Sequence, residues 1–70
     1  MATRLIAQKE ALNCKRLEIE NLINAKIGRK PIDIQAFSQT IEFKSYAHRH
    51  SVSQLEQQIR ETQSYYNHLS

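Results

Sequence analysis

Seventy residues with a single cysteine make one small domain, 1–70, which buries only about 60% of the surface its unfolded chain exposes. Cys14 has no bridging mate, and the longest aliphatic run, Leu5-Ile6-Ala7, is too short for a bilayer span or a signal-peptide core. The net charge of +3 is uneven: residues 1–31 hold seven basic side chains against three acidic, and residues 32–70 three against four. The expectation is a soluble chain of a reducing compartment, beginning at or near Met1, with stability marginal enough to gain from a partner.

A first helix is predicted over about 3–27, opened by Thr3 as N-cap and closed by Gly28 in the left-handed C′ position. Lys26, Arg29 and Lys30 gather at its carboxyl end, where positive charge complements the helix dipole, and Pro31 stops any continuation. At 100° per residue, Leu5, Leu12, Ile19, Ile23 and Ile27 form one inner stripe. Ile6 and Leu17 lie on another flank and Leu22 opposite, more directions than so small a monomer easily covers, so Ile6 and Leu17 are assigned to a partner or oligomer surface.

Residues 32–46 change period. Ile32, Ile34 and Ala36 alternate with Asp33 and Gln35, and Ile41 and Phe43 with Thr40, Glu42 and Lys44. Period two predicts a β-hairpin with Ile32, Ile34, Ile41 and Phe43 inward and a connection at Phe37-Ser38-Gln39. Such a hairpin must rest on helices to be stable. Tyr46 to His50 is read as a short connector.

A second helix is predicted over about 52–66. Ser53-Gln54-Leu55-Glu56 fits a capping box, and Ser51-Val52-Ser53-Gln54 fits as well, leaving two possible starts. Val52, Leu55, Ile59, Thr62, Tyr66 and Leu69 are spaced 3, 4, 3, 4 and 3 apart, a seam for packing on another helix. Residues 65–70 are left as a fraying end. The predicted fold is α+β, helix–hairpin–helix (αββα): two antiparallel helices packed with a two-stranded antiparallel sheet. Its expected core is Leu5, Leu12, Ile19, Ile23, Ile34, Ile41, Phe43, Leu55 and Ile59.

Little here suggests catalysis. His48 and His50 would need a third and fourth metal ligand, and none comes at a recognised spacing. Cys14 has no base near it in the sequence, and Glu18 and Glu20 point apart on a helix. One glycine rules out a Gly-rich phosphate loop. The reading is a non-enzyme without cofactor or metal. Its candidate surfaces are a basic patch, Lys26, Arg29, Lys30 and Lys44, suited to phosphate or an acidic partner, and a tyrosine end, Tyr65 and Tyr66, suited to an interface.

The order of elements, with Thr40-Ile41-Glu42-Phe43 and then Ser51-Val52-Ser53-Gln54-Leu55 followed by Ile59, resembles the protein W family. These are small head–tail joining, or head-completion, proteins of lambda-like tailed phages. The resemblance covers about residues 3–64. It implies a structural connector that adds to the filled head after DNA packaging, self-associates into a ring under the portal protein, helps retain the genome and offers the attachment surface for the next neck or tail-completion protein. By position, the family's assembly segment would be Ser64 to Ser70, bringing Leu69 into the interface with Tyr65 and Tyr66. The basic residues would then face packaged DNA, without sequence reading, or the portal. The implied location is the virion neck, with host cytoplasm during assembly and no membrane association. The alternative is a small basic nucleic-acid-binding or regulatory protein of phage or plasmid origin.

Overall fold

The structure, a computed structural model, describes residues 2–69. It contains four helices: α1 (Ala2–Ile27), α2 (Ile34–Phe37), α3 (Ile41–Arg49) and α4 (Val52–His68). The described residues are 82% helical, with no strand or sheet among them. The α+β, αββα expectation is therefore corrected: the segment read as a hairpin over 32–46 is two helices with a turn between them.

Each boundary has a chemical cause. Gly28 ends α1 at φ 79°, and the Arg29 N–H then reaches the Asn24 carbonyl at 2.7 Å, the six-to-one bond of a Schellman end. A Cβ at Gly28 would meet nothing within 4 Å, so the dihedral, not crowding, calls for glycine there. After Pro31, the Asn21 side chain ties the returning chain at Ile32 back to α1. Asp33 caps α2 by accepting the Ala36 N–H at 3.2 Å. Thr40 Oγ1 joins two helices, donating to the Phe37 carbonyl at 2.6 Å and accepting the Phe43 N–H at 3.2 Å. Of the two capping boxes readable in the sequence, the one used to open α4 starts at Ser51: its hydroxyl accepts the Gln54 N–H at 3.1 Å, and the Gln54 side chain accepts the Ser51 N–H at 2.8 Å.

The path follows from cross-helix contacts. Lys9 Nζ donates to the His48 carbonyl at 3.3 Å, His48 Nε2 lies 2.9 Å from Glu10 Oε2, and the Arg16 guanidinium sits 4.6 Å over the Tyr46 ring. Higher numbers on α3 thus meet lower numbers on α1, and the two run antiparallel. The tight turn at His50–Ser51 then starts α4 beside the amino-terminal half of α1. At the far end Lys26 Nζ lies 5.0 Å over the Tyr66 ring. Thus α1 and α4 run parallel, which corrects the expected antiparallel pair. The resulting body is elongated, with a radius of gyration of 12.6 Å against about 11 Å for a compact chain of this length.

α1 is the middle of the assembly, packing α4 on one flank and α2 and α3 on another. The buried apolar set follows: Leu17, Ile19 and Ile23 from α1, Phe43 and Ala47 from α3, and Leu55 from α4. Phe37 meets Phe43 edge to face at 6.0 Å between centroids. Burying Phe43 or Leu55 stabilises the fold by about 2–3 kcal/mol each on transfer grounds. Of the expected core, Ile19, Ile23, Phe43 and Leu55 are buried, and Leu12, Ile34 and Ile59 are partly covered. Leu5 remains 46% exposed and Ile41 85%. Ile41 points out because helical geometry turns residues 43 and 47 inward, where strand geometry would have shared one face between 41 and 43.

Candidate functional site

Because α1 and α4 run parallel, their carboxyl ends lie at the same end of the molecule. Two helix dipoles therefore present their negative poles together, and Lys26 and His68 occupy the two last turns. Above Ile27 the connector turns away while α4 continues on the other side. An open groove of about 700 Å³ results. Its floor is Glu20, Ile23, Asn24 and Ile27 of α1; one wall is Arg29 and Ile32, the other Glu61, Thr62 and Tyr65 of α4. Ile27 is 46% and Tyr65 56% exposed, so the groove leaves apolar surface in water at the place where a further packed element would sit.

The charges around the groove are unequal in standing. Glu20 already accepts Arg16 Nη1 at 2.7 Å. Glu61 accepts only from the Gln57 amide, at 3.3 Å, and neither it nor Arg29 has an ion-pair partner among the described residues. The Lys26 ammonium is engaged over Tyr66.

The predicted interface residues are divided by the structure. Tyr65 is on the groove wall, Tyr66 is half-buried under Lys26, and Leu69 is partly covered at the end of α4 with its N–H donating to the Tyr66 carbonyl. Leu17, assigned to a partner, is only 2% exposed and belongs to the core. Ile6 is 38% exposed but lies about 31 Å along α1 from Ile27, so the two cannot share one patch. Of the basic set, Arg29 lines the groove and Lys30 is exposed just beyond it, whereas Lys44 is exposed on α3, whose contacts run to the Lys9–Arg16 stretch of α1. The four do not converge. Of the residues lining the groove, only Arg29 and Tyr65 are expected from sequence; Ile27 and Ile32 are assigned inward roles there, and Glu20, Ile23, Asn24, Glu61 and Thr62 are not singled out as site residues.

A second concavity, of about 350 Å³, lies between α1 and α3, lined by Asn13, Arg16, Phe37, Glu42, Ser45, Tyr46 and Arg49. Its buried polar groups are mostly committed to each other. Asn13 Oδ1 accepts Arg16 Nε at 3.0 Å and Nη2 at 2.9 Å, while Nη1 goes to Glu20. The Asn13 Nδ2 is buried without a partner.

The histidines are engaged locally. His48 pairs with Glu10, and His50 Nδ1 lies 2.8 Å from the Tyr46 carbonyl with its ring stacked on Tyr46 at 4.3 Å. Among the described residues no three of His, Cys, Asp or Glu come together as a metal site. Cys14 is half-buried; burial first, then the negative charges of Glu18 and Glu10, push its thiol above the ordinary range. No helix among the described residues is long and apolar enough to cross a membrane.

Compared with known protein families, curated proteins and solved structures, the chain finds no match.

Proposed function

We propose that this chain is a non-enzymatic adaptor that assembles with protein partners through the groove at the shared carboxyl end of α1 and α4. The observation that carries the reading is the groove itself: Ile23 and Ile27 below, Ile32 and Tyr65 beside, open to solvent in a domain with few fully buried apolar side chains. Interfaces favour such a half-exposed tyrosine, which adds apolar area at low entropic cost. In the form the sequence resemblance implies, the partners are a portal protein and the next neck protein of a tailed phage. Only the short stretches in residues 40–59 support that form, because the αββα frame that went with it is absent.

The nucleic-acid alternative has less to stand on. Lys26 is committed to Tyr66, Arg29 lines a groove that also holds the carboxylates of Glu20 and Glu61, and Lys44 lies on a different helix. Placing a photo-crosslinking benzoylphenylalanine at Tyr65 in the native host tests the choice. Crosslinks to a defined protein, lost when Ile27→Ser is added, are the expected result. Crosslinks to nucleic acid alone, or none, would sink the adaptor reading.

A further inference from the structure

We infer that one occupant of this groove is a second copy of the same chain, docked about a two-fold axis so that each Tyr65 fills the other protomer's groove. This rests on the groove being a docking surface and goes beyond it by naming the partner. A two-fold interface meets itself, so its charges must be self-complementary: whatever residue i offers, residue j of the same patch must answer. The groove meets that condition. Arg29 of the connector and Glu61 of α4 both line the groove, together with Ile27 of α1. The third charge, Glu20, is already neutralised by Arg16 within the protomer. Facing two such grooves brings each Arg29 toward the other copy's Glu61 and closes Tyr65 over the other's Ile27. A partner of single-signed charge would satisfy one wall and repel the other.

The apolar part supplies the attraction and the charges supply the register. Ile27 and Tyr65 are each about half exposed in the single chain, and neither is needed to close the core beneath, where Ile23 is already covered. Substitutions of Arg29, Glu61 and Tyr65, all exposed, therefore change the interface with little effect on folding.

Sedimentation equilibrium of the full chain over a concentration series tests this. The wild type is expected to dimerise, and Arg29→Glu and Glu61→Arg are each expected to weaken the dimer by at least about tenfold, because each sets two like-charge pairs face to face. Equimolar mixing of the two variants should restore a mixed dimer, since both cross-protomer pairs are then opposite in sign. Tyr65→Ser should abolish association with the melting temperature unchanged. A wild type that stays monomeric throughout, or two folded variants that fail to recover on mixing, would overturn the inference. If the wild type is monomeric while the Tyr65 photo-crosslink still captures a defined non-self protein, the docking reading survives and the second copy falls. If neither occurs, both fall.

Discussion

The Asn21 side chain grips both polar groups of Ile32: its Oδ1 accepts the Ile32 N–H at 2.6 Å and its Nδ2 donates to the Ile32 carbonyl at 2.9 Å. One amide thus does for the connector what a neighbouring strand would do in a sheet. Asn21→Ala removes both bonds and leaves a half-buried peptide group unpaired, at a cost of about 1–3 kcal/mol. The expected readouts are a lower melting temperature and faster hydrogen exchange at the Ile32 amide. Unchanged exchange there would show that the connector is held by something else.

Two neighbouring apolar positions separate the helical middle from a hairpin. Ile41→Asp should change stability by less than about 0.5 kcal/mol, because the side chain is exposed and a carboxylate suits the first turn of α3. Phe43→Ala should cost about 3–5 kcal/mol. That is comparable with the whole stability expected of a domain this small, on the order of 4–10 kcal/mol. In a hairpin both residues would face inward and both substitutions would unfold the chain. Urea melts of the pair decide it.

The start of α4 is fixed by a hydroxyl two residues earlier than the other available serine. Ser51→Ala should therefore destabilise by about 1 kcal/mol, whereas Ser53→Ala, already inside the helix and exposed, should be nearly silent. Equal effects in thermal melts would contradict the assigned cap.

Cys14 should be a slow nucleophile. Since burial and the charges of Glu18 and Glu10 raise its thiol above the ordinary range, less thiolate is present at mildly alkaline pH. Iodoacetamide should alkylate the folded chain more slowly than the urea-unfolded chain, and Glu18→Gln should quicken the folded rate. A folded rate equal to the unfolded one would remove the stated cause.

The two long helices were readable because their signals are redundant: many helix formers, a glycine–proline stop after Ile27, and a 3–4 seam from Val52 onward. The middle was misread because five-residue alternation is also what a helix shows when only a few apolar residues fall on it. Phe43, Tyr46, Ala47 and His50 carry the helical spacing that competes with it, and the inward member Ala47 is too small to register as apolar patterning. Asp33 and Thr40 were available as caps, but neither is followed three residues later by Glu or Gln, so no capping box announced the helices. A single inner stripe on α1 places Leu17 at the surface, whereas Leu17 is buried. A central helix has two covered flanks. For the site, Tyr65 was found through its residue type, whereas Ile27 and Ile32 meet it only because α1 and α4 are parallel, a topological fact that no local pattern encodes.

That parallel arrangement also orders events during synthesis. α3 can fold back on α1 as soon as it leaves the ribosome, but the flank holding Ile19 and Ile23 stays wet until α4, translated after the other three, has emerged. Contacts between α1 and α4 join segments roughly forty residues apart in the chain, so this slow closure, rather than helix formation, should limit the folding rate. In the interval the nascent chain offers a naked apolar stripe to chaperones or to its neighbours on the polysome.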